Sequence, residues 1–438
     1  MSTQILTEKW NDLLETDRLE KIADVSKKRL TAQLLENQER FLTEDAANTA
    51  SIPGGGAVGQ NWDPILISMV RRMAPKLIAY DICGTQPMTG PTGLVFAMRA
   101  RYTNTAGAEA QGLDEANAAF SGKLATGGVA GKQSGDMDTT NDPFSAAFDD
   151  GSAGMETDQA ELSTNQKWNS MSMTIERASV TAKSRQLRAD WSLELTQDLK
   201  AIHGVEAETE LSNILSTEIT NEINREVVRR VYTVAKVGAQ YHSKAVADAT
   251  PGDVKGQFDL QADADGRWSV EKFKGLFFAL EREANQIALD TRRGKGNIVI
   301  CSADVASALV LAGILDYAPA AQAMVNVEVD ITGVTYAGNV GRFKIYIDPY
   351  LSTNGFVMGY KGSSQYDAGF FYCPYVPLQM VRATNPENFQ PAIGFKTRYG
   401  LVANPFVIRE RGNDPVKTGF GLGKNENQYY RKVQILGL

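Results

Sequence analysis

The side chains that could do chemistry in this chain of 438 residues are few and far apart. Gly54, Gly56 and Gly59 have the G-x-G-x-x-G spacing that cradles a dinucleotide pyrophosphate, but such a loop must follow a buried strand, and here the preceding residues are polar and end in Pro53. They read as a flexible linker. Four glycines precede a lysine, Gly122, Gly131, Gly294 and Gly423, and none has a glycine five positions earlier, which excludes a phosphate-binding P-loop. The two histidines, His203 and His242, stand near no G-x-S-x-G or H-E-x-x-H pattern, so neither a hydrolytic triad nor a histidine metal site is expected. His203, beside Gly204, reads as a structural hydrogen-bonding residue. Asp136, Asp138 and Asp142 lack the full ligand spacing of a calcium loop and read as a solvated acidic loop. Neither a cofactor nor a metal is expected.

Charge carries more information than catalytic motifs do. Residues 103–167 hold eleven acidic side chains against Lys123, Lys132 and Lys167, a local net of −8 within a total of −7, and residues 1–44 add −2, which leaves the remainder at +3. Within that slightly basic framework, Lys396 and Arg398 alternate with Phe395, Thr397 and Tyr399 and give one strand a basic face. Arg292, Arg293 and Lys295 form a second, smaller basic turn. An acidic arm from one copy meeting the basic face of another is electrostatically sensible and needs no further partner. There is no dense basic stripe of the kind that reads DNA sequence.

The elements that must position these residues are legible from periodicity. Between residues 6 and 42 apolar side chains fall at helical spacing, which predicts one or two amphipathic helices. The small, polar, Gly-rich stretch 45–59 follows as a tether. Asp63 and Pro64 start a helix that Pro75 ends or kinks. Strands at 94–102 and 168–184 bracket the acidic segment, making an extended hairpin arm, and Met171, Met173 and Ile175 alternate with polar residues as in a half-buried strand. Residues 192–236 predict a long helix broken near Gly204, with Leu211, Leu215, Ile219, Ile223, Val227 and Val231 along one face. A helix over 270–287, a buried strand at 297–301 and a helix capped by Ser302 suggest an α/β unit, and the last third reads as mainly β.

Composition fits a folded globular chain, with 43% hydrophobic and 22% charged residues. Cys83, Cys301 and Cys373 are odd in number and widely spaced, which argues against a disulfide framework and for a reducing compartment. The first ten residues lack a signal-peptide pattern, and no apolar run approaches the roughly 18 residues of a membrane span.

These elements, without a catalytic constellation, describe a subunit made to contact others. The sequence resembles the major capsid proteins of T4-like tailed bacteriophages. The resemblance is carried by residues 63–99 (DPILISMVRRMAPKLIAYDICGTQPMTGPTGLVFAMR), 194–224 (ELTQDLKAIHGVEAETELSNILSTEITNEIN), 297–309 and 372–406. It implies an α+β, HK97-like capsid fold with an N-arm, an extended β-hairpin loop, a long spine helix in a peripheral domain, and an α/β axial domain. On that mapping, residues 1–44 are a helical segment removed on maturation, 45–93 the N-arm and linker, and 94–184 the extended loop with its acidic insertion. Residues 185–266 are the peripheral domain with the spine helix, 267–360 the axial domain, and 361–438 the return to the peripheral sheet.

The resemblance further implies no enzyme activity and a homo-oligomer of hexamers tiling an icosahedral or elongated head around packaged double-stranded DNA, with only non-specific proximity to that DNA. The related vertex protein, which forms pentamers, is the alternative. Expected partners are a prohead protease, a scaffold protein, vertex and portal proteins and decoration proteins, with assembly in the host bacterial cytoplasm. The family's protease cuts after Glu in a hydrophobic-x-Glu pattern. Leu42-Thr43-Glu44 fits just before the tether, which makes Glu44 and Asp45 the expected cleavage pair, although Asp45 departs from the small residue usual after the cut. Leu13-Leu14-Glu15 and Leu34-Leu35-Glu36 match the pattern inside predicted helix.

Overall fold

The computed structural model describes residues 7–14, 25–49, 77–102, 109–110, 171–204, 206–239, 256–264, 266, 268–312, 316–317, 335–364, 367–384, 390–405 and 423–438. The chain opens with helices α1 (Asn11–Leu14), α2 (Val25–Thr49) and α3 (Ala79–Ile82), then strands β1 (Gly84–Thr85), β2 (Thr92–Tyr102), β3 (Glu109–Ala110), β4 (Met171–Thr181) and β5 (Lys183–Asp190). Helices α4 (Leu193–His203) and α5 (Ala207–Val234) follow, with short strands β6 (Ala235–Val237) and β7 (Gln257–Asp259). Next come α6 (Ser269–Thr291), β8 (Ile298–Cys301), α7 (Ala303–Leu311), β9 (Asp316–Tyr317), β10 (Thr335–Val340), β11 (Phe343–Ile347) and β12 (Gly355–Gly359). The chain closes with β13 (Phe370–Thr384), β14 (Pro391–Ala403) and β15 (Asn427–Leu436).

These strands build three sheets. A four-stranded sheet runs β1-β13-β14-β5, an eight-stranded sheet runs β6-β15-β12-β8-β11-β10-β9 with β7 beside β15, and β3-β2-β4 form the hairpin arm. The arm is continuous, since β2 and β4 pair antiparallel from Thr92↔Thr181 out to Tyr102↔Met171. Its base rests on the four-stranded sheet at Gly400, where a Cβ would stand 2.4 Å from a Val180 methyl and 3.0 Å from the Thr181 carbonyl oxygen. Only glycine allows that approach.

The predicted long helix divides at Gly204, as its sequence suggests. Ser192 caps α4 by accepting a hydrogen bond from the Leu195 amide at 3.2 Å, and Gly204 ends it in the left-handed region at φ 67°. His203 is exposed in the last turn of α4, in company with Lys200. Helix α5 buries Leu215, Ile219, Ile223, Val227 and Val231 in the main core, so its hydrophobic stripe holds it against the sheets. Ser302 occupies the N-cap position of α7, but its side chain makes no cap bond and lies 3.4 Å from Asn354 Oδ1.

The C-terminal strands divide between two sheets. β13 and β14 do build the four-stranded sheet, whereas β15 pairs with β12 in the larger sheet, and β6 and β7 join it from the region assigned to the peripheral domain. The reason is visible in β15, whose inward residues Tyr429, Arg431, Val433 and Ile435 need the core under α6. Arg431, only 1% exposed, donates from Nε to Glu283 at 2.7 Å and from Nη1 to Asp290 at 2.9 Å, both on α6. Glu283 also accepts from the Ala239 amide at 2.8 Å, so one buried charge cluster pins β15, α6 and the chain after β6.

The N-terminal helices are docked, not merely tethered. Trp10, Leu14, Ala32, Leu34 and Leu35 make a cluster of their own, and Leu30 enters the main core. Residues 50–76, which include Gly54, Gly56 and Gly59 and most of the helix expected from Asp63, lie outside the described residues, as do His242 and most of the acidic segment with Asp136, Asp138 and Asp142. Among the described residues, no helix is long and apolar enough to cross a membrane.

Candidate assembly surfaces

The four-stranded sheet has two covered faces. On one, α5 packs over Ile393, Phe395 and Tyr399. Arg185 of β5 joins the layers, with Nη2 at 2.6 Å from Glu226, Nη1 at 2.9 Å from Glu222, and Nε donating to the Tyr399 hydroxyl at 2.6 Å. The Tyr399 hydroxyl in turn donates to Glu226. Burial works to raise the Glu226 carboxyl, but hydrogen bonds from Tyr399 and Arg185 outweigh it and hold the group below its ordinary value. An open cleft of about 650 Å³ runs along α5, and two of the cations lining it, Arg185 and Arg225, are paired within the chain. Arg225 donates to both oxygens of buried Asp348 at 2.8 Å, and Tyr232 donates to the same carboxylate at 2.8 Å. These groups fasten helix to sheet.

The opposite face carries the residues expected to meet a neighbour. Phe371, Cys373 and Val402 lie there under the arm's base residues Val95, Ala178 and Val180. Further along, α2 covers β13: Asn37 Nδ2 donates to the carbonyls of Met88 at 2.9 Å and Tyr375 at 3.1 Å, and Gln379 Nε2 donates to Gln38 Oε1 at 2.8 Å. Lys396 is the register partner of Gln379, and Arg398 that of Val376, so both basic side chains share this face with α2. Lys396 is exposed and Arg398 half-buried. The Arg398 guanidinium carbon stands 5.4 Å from the Tyr375 ring centroid, and its Nε is buried without a hydrogen-bond partner. A carboxylate arriving on this face would find one buried donor waiting.

Glu44 and Asp45 do not sit in an extended linker. The backbone is helical from Val25 to Thr49, so the bond between them lies inside α2. The helix runs past its expected end because residues 42–49 contain no glycine or proline to stop it.

A further surface was only half legible. Leu94, Phe96 and Met98 on β2 and Met171, Met173 and Ile175 on β4 project from one face of the arm, with Met98 directly opposite Ile175. The alternation predicts a half-buried strand, yet Phe96, Met98, Met173 and Ile175 are each more than 60% exposed. In a single chain nothing among the described residues covers this face. Helix α4 adds exposed Leu193, Leu195 and Ile202 and buries no residue at all. Contiguous apolar surface of this kind is uncommon on a chain that works alone.

All three cysteines are free and buried, and burial pushes the thiols of Cys83, Cys301 and Cys373 up to about 12, leaving them protonated at neutral pH.

The sequence model of the family described as Major capsid protein Gp23 matches residues 59–435. The chain is 39% identical to the major capsid protein of Serratia phage KSP90 over the full length of both, and 37% identical to that of Enterobacteria phage T4 over 99% of this chain and 98% of the relative. The capsid vertex protein of phage T4 is 25% identical over 53% of each chain. The solved capsid of Myoviridae phage XM1 superposes with a TM-score of 0.39 and 10% identity over 81% of this chain and 89% of that one. Matched along nearly its whole length by the family and by full-length relatives, the chain belongs to the major capsid protein family of T4-like phages.

Proposed function

We propose that this chain forms hexamers that tile an icosahedral or elongated head shell around packaged double-stranded DNA, and that a prohead protease removes residues 1–44 by cutting between Glu44 and Asp45. The observation that carries the reading is the arm. β2 and β4 hold an apolar face centred on Met98 and Ile175 that the described residues of a single chain leave uncovered, and a repeating lattice supplies a cover for it in every copy. The basic face at Lys396 and Arg398 offers the acidic segment of a neighbour an oppositely charged landing place. Stability then comes from many repeated interfaces, each of modest strength.

In the head, the partners are further copies of this chain, the scaffold, vertex and portal proteins, and decoration proteins on the outer surface. Symmetry tests the assignment. Native mass spectrometry of purified chain should give hexamers; pentamers alone would make it a vertex subunit, and a monomer at every concentration would remove the assembly reading.

A further inference from the structure

The bond between Glu44 and Asp45 lies inside α2, and the part of α2 before it is fastened to the sheet. Asn37 bonds to two main-chain carbonyls, Gln38 accepts a buried hydrogen bond from Gln379, Leu30 enters the main core, and Lys27 pairs with Asp81 at 2.9 Å. A protease cleft takes its substrate as extended chain, so the helix must open on both sides of the bond. After the bond, opening is easy. Asp45, Asn48 and Thr49 are weak helix formers, and the last turn has no basic side chain to complement the helix dipole. Before the bond, opening takes apart the contacts of Gln38 and Asn37.

We propose that the docking of α2 on β13 gates the maturation cut. The Glu44–Asp45 bond is cleaved from the undocked helix, and the rate follows the equilibrium between docked and undocked states. This rests on the reading that Glu44–Asp45 is the maturation bond, and adds what controls it. Any contact among assembling copies that draws α2 off the sheet converts the bond from protected to cleavable. Cutting is thereby tied to assembly with no change in the protease. Removal of α2 also bares the strip of β13 beside Lys396 and Arg398.

The test is limited digestion of the full native chain with a glutamate-specific endopeptidase, following release of the fragment ending at Glu44 by mass spectrometry. Gln379→Ala leaves the substrate segment unaltered and removes the buried bond to Gln38. It should speed release about fivefold, as expected for one net hydrogen bond. Asn37→Ala with Gln38→Ala, altered only in the segment to be removed, should speed it by about tenfold or more. Equal rates in all three chains would overturn the gating. Co-expression with the prohead protease keeps the two readings separable. A mature chain that starts at a residue other than Asp45 would remove the maturation bond, whatever the digestion rates show.

Discussion

Gln379 donates a hydrogen bond to Gln38 at 2.8 Å across 341 residues of chain, and its partner across the β13–β14 ladder is Lys396. One side of one sheet therefore holds both the N-terminal helix and the basic residues expected to meet a neighbour. The two features most informative in the sequence, the segment before Glu44 and the basic strand, are adjacent in space.

Arg398→Glu places a carboxylate beside the Tyr375 ring, where the guanidinium now lies 5.4 Å from its centroid. Shell assembly should be impaired at low salt and recover in part at high salt, because screening shortens the reach of the new repulsion. Light scattering at two ionic strengths reads this, and equal assembly at both would disconnect Arg398 from the acidic arm.

The pair Met98 and Ile175, 65% and 63% exposed, separates folding from assembly. Met98→Asp with Ile175→Asp should leave the urea midpoint of the single chain nearly unmoved, within about 0.5 kcal/mol per site, as for exposed positions. Particle formation should be lost. A variant that still builds shells would show that this face stays in solvent.

Arg431→Met removes the cation shared by Glu283 and Asp290 beneath α6, leaving Asp290 with Lys236 at 3.3 Å and Glu283 with no cation among the described residues. Leaving a buried carboxylate uncompensated costs about 3–5 kcal/mol, so the midpoint of urea unfolding should fall steeply. Adding Glu283→Gln should recover part of the loss. No recovery would mean that the loss arises from packing and not from the unpaired charge.

Acid should loosen the contact between α5 and the sheet. The Glu226 carboxyl sits below its ordinary value of 4.5, so its contribution is complete above that value and is lost as pH falls through the lower, folded one. Tyr399 is shifted the other way, upward from 10.0 by burial and then by Glu226, so its contribution is complete below pH 10 and fades as pH rises toward the folded value. Stability measured against pH should therefore fall at both ends, and Glu226→Gln should flatten the acidic limb.

Periodicity exposed the arm, the broken helix at Gly204 and the buried strand at Ile298 to Cys301, because each is a local pattern. What it missed depends on distant partners. Arg431 lies between Tyr429 and Val433 at an inward position, an anomaly in the alternation that becomes intelligible only with Glu283 and Asp290 on α6. The Gly-rich stretch drew the linker boundary too early, since residues 45–49 still belong to α2. Met171, Met173 and Ile175 have the alternation of a strand with a covered face, and among the described residues nothing supplies the cover.

Whether this chain builds a shell is decided by imaging. Material purified from cells co-expressing the scaffold and prohead protease should be examined by electron microscopy and by intact mass. The expected result is a lattice of six-fold capsomers built from a chain that begins at Asp45. A full-length monomer with no lattice, from cells containing both partners, would contradict it.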